Sequence, residues 1–358
     1  MFKSIEIHNF RAFRHLSIDG LNRLNLFLGA SNVGKTCLLE ALFVHAGAHN
    51  PELPSRLNTF RGISTFPPDA QEIWGWLFYR KHPDQPARIT SIDFEMKSRA
   101  VAIELMAEET RVKPNDIPKD EDATALPDSA SSSSPYRKLS IRLTDNGQHL
   151  ESSASLHSDG RIQYTTPRLI SYPHTIYLAT RHRSEIQIAQ RFSQVEEVGR
   201  QEEVVEVLKT IEPRLRRLAV ATIGNESTLR ADLDIGRLIP IAFLGEGFVR
   251  LAAIILAVLT ARDGSVLVDE IENGFHYSVQ AKVWSALRDA CRRANVQLFA
   301  TTHSRECALA AHQAMSDSLG FDYEFSAYRL ERHGDDINAV HIPKETFETA
   351  EELGWEVR

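Results

Sequence analysis

The sequence predicts an α/β fold with a mixed sheet, into which a β-rich lobe and a helical arm are inserted. Three stretches carry that expectation. Leu28 to Leu42, LGASNVGKTCLLEAL, sets a glycine loop between a short apolar run and an apolar helical run. Ser265-Val266-Leu267-Val268 is apolar beyond its serine and leads into Asp269-Glu270, as a strand buried on both faces would. Val296 to Thr301 is a second such strand, ending at Thr302-His303-Ser304.

The chain has 358 residues, room for two domains or for one large domain with an inserted lobe. Its net charge of −7 argues against a surface that is basic throughout, while leaving room for a local basic groove. Cys37, Cys291 and Cys307 are too scattered for a metal site and read as thiols in a reducing compartment. Met1 to Glu6 does not read as a signal peptide, and the longest apolar run, Leu251 to Leu259, is too short to span a bilayer. A cytosolic protein without membrane partners is expected.

In chain order, Ile5 and Ile7, then Leu16 and Ile18, then Leu24, Leu26 and Leu28 alternate as strands do. Between the first two runs, Asn9-Phe10-Arg11-Ala12-Phe13 forms a turn. It could pack on an adenine face through Arg11 or make a small core corner. Trp74 to Tyr79 suggests one short amphipathic helix among many prolines. Ile89 to Phe94 and Ala100 to Leu105 read as a hairpin.

Residues 113–136, with Ser131-Ser132-Ser133-Ser134, offer little to bury and are expected to be a disordered surface loop. Strands resume at Lys138, with turns at Asn146-Gly147 and Asp159-Gly160. Thr175 to Thr180 is a buried strand, and Ile186 to Glu212 gives one or two helices of an arm or lid. Leu218 to Leu233 is a hairpin turning at Gly224-Asn225. Leu244 to Ala261 is a core helix opening with Gly245-Glu246-Gly247. A helix from Ser278 to Arg293, a hairpin around Gly334 and a helix from Glu345 to Leu353 complete the chain. The expected division is a core of residues 1–48 and 244–358, a β-rich lobe of 49–180 and an arm with its hairpin of 181–243.

Gly29-Ala30-Ser31-Asn32-Val33-Gly34-Lys35-Thr36 fits the P-loop pattern, followed by Cys37. Such a loop turns backbone N–H groups toward phosphates, and a helix start adds partial positive charge. Lys35 would reach the β- and γ-phosphates of ATP, and the Thr36 hydroxyl would hold Mg²⁺. Asp269 would hold the same ion and Glu270 would orient or deprotonate the attacking water. His303, at a strand's carboxyl end, can donate a hydrogen bond to the γ-phosphate. The N–H groups of Gly245, Glu246 and Gly247 can meet phosphate. Arg181-His182-Arg183 with Arg191 could meet DNA phosphates or be a solvated helix start.

This ordered set resembles the ABC-type P-loop NTPases, specifically the SMC/RecF/OLD branch. The similarity is strongest in LGASNVGKTCLLEAL, FLGEGFVRLAAIILAV, VLVDEIENGFHYSVQ and QLFATTHS. The close, with AYRLERHGDDINAVHI, looks like the short OLD-like AAA ATPases. The resemblance implies a homodimer, or an assembly of dimers, with shared ATP sites. One subunit gives Gly29 to Thr36, Asp269, Glu270 and His303, and the other gives the signature loop Gly245-Glu246-Gly247. It also implies that Glu272 and His276 line the dimer interface, where the residues alone would equally fit an ordinary solvated loop.

Two departures from the family pattern stand out. Gly245 occupies the place of the signature serine, and the stretch after His303 is too short for the Toprim nuclease domain of OLD proteins. Nuclease activity is therefore not expected in this chain. A separate effector protein, a nuclease or Toprim-like, is the partner implied, in bacterial anti-phage defence. A RecF-type DNA-repair ATPase is the alternative. A transporter ATPase subunit fits less well, since LSGGQ is lacking, and intact Lys35, Asp269 and Glu270 argue against an inactive scaffold.

Overall fold

A computed structural model describes residues 1–63, 65–107, 136–167, 174–180, 185–224, 226–317 and 323–353. The chain opens with three strands, β1 (Phe2–Phe10), β2 (Phe13–Asp19) and β3 (Leu24–Leu28), followed by helix α1 (Lys35–Ala46). The next segment holds α2 (Leu53–Phe60), α3 (Ala70–Trp74), β4 (Ala87–Asp93), β5 (Ser98–Ala107), β6 (Tyr136–Asp145), β7 (Gln148–Leu156), β8 (Ile162–Thr165) and β9 (Thr175–Leu178). Then come α4 (Glu185–Glu197), α5 (Gln201–Leu208), β10 (Arg217–Ile223), β11 (Glu226–Asp232), β12 (Leu238–Pro240) and α6 (Glu246–Thr260). The chain continues with β13 (Ser265–Val268), α7 (Tyr277–Ala294), β14 (Gln297–Thr301), α8 (Arg305–Ser316), β15 (Phe325–His333), β16 (Asp336–Ile342) and α9 (Lys344–Leu353).

The central sheet runs β16-β15-β3-β14-β13-β9. The five strands from β15 to β9 pair in parallel, and β16 closes one edge antiparallel. Period-two alternation divides its side chains between two cores. Leu24, Leu26, Leu28, Val266, Val268, Leu298 and Ala300 face a cluster with α4 to α8. Phe27, Leu267 and Phe299 face a second cluster with α1 and the strands of the other large sheet. Helix α1 is sandwiched between two sheets, which is why it is apolar almost all round. Its buried His45 hydrogen-bonds Ser91 of β4 at 2.7 Å.

Three expectations need correction. Strands β1 and β2 belong to the seven-stranded sheet β2-β1-β4-β5-β6-β7-β8, so the lobe's sheet starts at the N-terminus and crosses the expected boundary at residue 48. Strand β9 pairs with β13 in the central sheet rather than joining the lobe. Helices α4 and α5 do not project as an arm. Ile188, Phe192, Val195, Val204, Val205 and Leu208 are buried in the same cluster as Leu251, Ile254 and Ile255 of α6. The pattern showed one apolar face on each helix, and α6 supplies the surface that covers it.

The Trp74 to Tyr79 segment is not one helix. It passes from α3 into a short 3-10 turn at Gly75–Leu77 and another at Tyr79–Lys81, where Arg80 takes a positive φ of 53°. The Ser-rich loop, apart from Tyr136, and the Arg181-His182-Arg183 cluster lie outside the described residues. No helix among the described residues is long and apolar enough to cross a membrane.

The placement of α4 is testable by stability. Phe192 is fully buried, so Phe192→Ala should cost about 3–5 kcal/mol in urea unfolding. A cost below about 0.5 kcal/mol, typical of exposed sites, would mean that α4 is a free arm after all.

Candidate nucleotide site

Three neighbouring parallel strands, β3, β14 and β13, all end at one edge of the central sheet. The glycine loop follows β3, Thr302-His303 follows β14, and Asp269-Glu270 follows β13. Their register aligns Leu26 with Ala300 and Ala300 with Val268, which brings segments far apart in sequence side by side. Carboxyl ends of parallel strands are where open α/β sheets bind ligands.

The loop's conformation depends on its residue types. Asn32 and Gly34 take positive φ of 62° and 92°. A Cβ on Gly34 would stand 3.0 Å from the Phe13 ring, so the β1–β2 tip packs directly on the loop. A Cβ on Gly29 would come within 2.7 Å of the Leu330 carbonyl on β15. Arg332, also on β15, donates to the Asn32 carbonyl at 3.0 Å.

Lys35 is buried and folds back on its own loop. Its Nζ donates to the carbonyls of Gly29 (2.7 Å) and Ala30 (2.8 Å) and lies 3.3 Å from His303 Nδ1. Burial pushes its pKa down to about 8, against the pull of Asp269, Glu270 and Glu272.

Asp269 is 7% exposed and sits at the centre of a hydroxyl cage. Its carboxylate accepts from Thr36 Oγ1 (3.0 and 3.2 Å), from Thr301 Oγ1 (2.7 Å) and from Thr180 Oγ1 (3.2 Å). Thr301 Oγ1 in turn accepts the Glu270 N–H at 2.8 Å. Glu270 has φ +51°, a strained value for a residue with a side chain. Asn273 Nδ2 donates to its Oε2 at 2.8 Å, and His303 Nε2 is 3.7 Å from Oε1. From α6, the buried Arg250 guanidinium donates to the Asp269 carbonyl at 2.5 Å.

The structure therefore brings together Lys35, Thr36, Asp269, Glu270 and His303. Thr36 and Asp269 supply hard oxygen donors in mutual hydrogen-bond contact, a donor set that suits Mg²⁺. Gly245 caps the start of α6, and Glu246 and Gly247 are its first two residues. Gly247 is pressed on the loop after Glu270, where a Cβ would stand 2.3 Å from the Gly274 carbonyl. That glycine has a packing reason within its own chain.

Arg11 turns inward. Its side chain is 8% exposed, its Nε lies 3.3 Å from Glu40 Oε2, and Nη1 donates to the Trp76 carbonyl. The Asn9–Phe13 tip is thus a core corner in this structure, with Arg61 completing the pairing to Glu40 (2.6 and 2.8 Å). Cys37 Sγ accepts from Arg61 at 3.4 Å. Glu272 accepts the His303 N–H at 2.8 Å, and His276 caps α7 by accepting from the Ser278 N–H.

Four residues of the site lack a motif. Thr180 and Thr301 lie at strand ends but follow no pattern. Asn273 is one more polar loop residue. Arg250 alone left a signal, as the one charge after Glu246 in an apolar helix that has no solvent to meet it.

A family described as "AAA domain, putative AbiEii toxin, Type IV TA system" matches residues 24–306, most of the chain. An "ATP/GTP phosphatase" of Helicobacter pylori is 22% identical over 331 residues, covering 86% of both chains. Two solved structures share the fold. An SmcHead bound to the C-winged helix domain of ScpA matches at TM-score 0.51 and 11% identity, over 97% of this chain and 99% of that one. An Smc head with an extended coiled coil, bound to the C-terminal domain of ScpA derived from Pyrococcus furiosus, matches at TM-score 0.50 and 11% identity, over 99% of each chain. The fold is that of an SMC-head, ABC-type P-loop ATPase.

The depressed Lys35 pKa predicts a proton linkage. A phosphate ligand would raise that pKa, so binding above pH 8 takes up a proton and affinity falls as pH rises, by at most about tenfold per unit. Calorimetry near pH 9, in buffers of different ionisation enthalpy, should show uptake approaching one proton. Lys35→Arg should show none. Zero uptake by the wild type would mean that Lys35 is fully charged in the free protein.

Proposed function

Since the chain belongs to that AAA-domain family of ATPases, we propose that it binds Mg²⁺-ATP at the glycine loop, hydrolyses it and acts as a dimeric switch controlling a separate effector. The observation that carries this reading is the meeting of Lys35, Thr36, Asp269, Glu270 and His303 at the ends of three adjacent strands.

The chemistry assigned to these residues follows from their positions. The loop's N–H groups and the start of α1 receive phosphate. Lys35 exchanges its two carbonyl partners for phosphate oxygens, so its charge is held ready by contacts weaker than those it would gain. Thr36 and Asp269 would hold Mg²⁺, which neutralises phosphate charge when bound. Glu270, with one oxygen fixed by Asn273, accepts the proton of a water attacking the γ-phosphorus. The bond to the β-phosphate oxygen breaks, and ADP and phosphate leave. His303 donates to the oxygens that gain charge. Arg250 and Thr301 act through the backbone, holding Asp269 and Glu270 in the strained turn.

The shared-site reading is supported by resemblance. Gly245 to Gly247 of one subunit would complete the site of another, an isologous arrangement. A protein partner is supported by the two Smc heads, each bound to a ScpA domain. A role in bacterial defence is supported by the resemblance to OLD-like ATPases and by the family's toxin–antitoxin description.

Glu270→Gln tests the assignment of the base. It should keep ATP binding while turnover falls about 100-fold or more. Turnover at the wild-type rate would remove Glu270 from the mechanism. Specific activity should also rise with protein concentration as dimers form. A constant specific activity from a monomer at every dilution would refute the shared site.

A further inference from the structure

Away from the nucleotide site, the exposed face of β1 and β2 gathers two imidazoles and a carboxylate. His8 and His15 are direct cross-strand partners, so they stand side by side on one face. Glu6, two residues before His8, shares that face. The two rings stack with centroids 4.5 Å apart. Both aim Nε2 at the same oxygen, with His8 at 3.0 Å and His15 at 3.1 Å from Glu6 Oε1. One ligand atom from each residue lies within 4.8 Å of the other two.

We propose that Glu6, His8 and His15 form a binding site for a divalent transition-metal ion of the zinc class. The spacing fits. Tetrahedral zinc with bonds of about 2.0–2.2 Å keeps neighbouring ligand atoms roughly 3.3 Å apart, a few tenths of an ångström beyond the two His–Glu hydrogen bonds present, and the two imidazole ligand atoms lie within 4.8 Å of each other, so a small ring adjustment closes the third edge. The donors fit as well. Two imidazole nitrogens and one carboxylate oxygen suit Zn²⁺, Co²⁺, Ni²⁺ or Cu²⁺, whereas Mg²⁺ and Ca²⁺ prefer oxygen alone.

The scaffold is already rigid, because β1 is paired with β2 on one side and β4 on the other. Three protein ligands on an open face leave further positions to water, the pattern of an open rather than a structural zinc site. Arg88, the partner of His8 on β4, puts a positive charge on the same face. It makes this a site of modest affinity. The site is separate from Thr36 and Asp269, and the inference does not depend on the proposed function.

The test is a Zn²⁺ titration of untagged, chelator-stripped protein without nucleotide and with excess Mg²⁺ present. The wild type should take up one Zn²⁺ per chain more than His8→Asn/His15→Asn. Co²⁺ in place of Zn²⁺ should give a visible absorption band that the double variant lacks. Glu6→Gln, with both imidazoles intact, should bind several-fold more weakly. Circular dichroism checks that the variants are folded, and His15→Gln alone serves if the double variant is not. Equal stoichiometry and affinity in wild type and folded variant, or no Zn²⁺ uptake by the wild type, would overturn the proposal.

Discussion

The buried carboxylate of Asp269 is the constraint around which the site is assembled. A carboxylate taken from water costs several kcal/mol unless it is hydrogen-bonded or paired. Here hydroxyls from three separate segments converge on it: Thr36 at the start of α1, Thr301 at the end of β14 and Thr180 just beyond β9. Each can do so only if β9, β13, β14 and the glycine loop are aligned. Satisfying one buried charge therefore fixes the relative heights of four segments. Lys35 lies close enough to feel the same charge, which links the loop's cation to the strand that carries Glu270.

The surrounding layers explain why that alignment is stiff. The central sheet is apolar on both faces, so a one-residue slip in any strand would exchange side chains between the two cores. Phe27 and Phe299 stack across neighbouring strands on the α1 side, while Val266, Val268 and Leu298 meet the α6 side. Arg250 ties α6 to the backbone of Asp269. The same helix begins with the signature loop and packs Gly247 on Gly274. A movement at the start of α6 thus has a short mechanical route to Glu270.

Much of the site could be read from the sequence, because parallel strands buried on both faces leave continuous apolar runs and the P-loop has a fixed spacing. The strands before Asp269 and His303 were visible for that reason. What could not be read was pairing. Nothing in Thr175–Leu178 says that its neighbour is β13, and nothing in β1 says that it joins β4 rather than β3. Amphipathic α4 and α5 displayed an apolar face but not the helix that covers it. Arg11 offered two readings, and only the geometry placed its guanidinium against Glu40. The threonines around Asp269 are too common a residue at strand ends to stand out.

Where the divalent ion binds is the most direct test of the Thr36–Asp269 pairing. Manganese can replace magnesium, and the paramagnetic resonance of protein-bound Mn²⁺ can be followed as ATP is added. ATP should recruit one Mn²⁺ per chain in the wild type, and Thr36→Val and Asp269→Asn should each lose it while remaining folded. If both variants hold Mn²⁺ with ATP as tightly as the wild type, the pairing of Thr36 with Asp269 is structural only and the site described here is not where the ion acts.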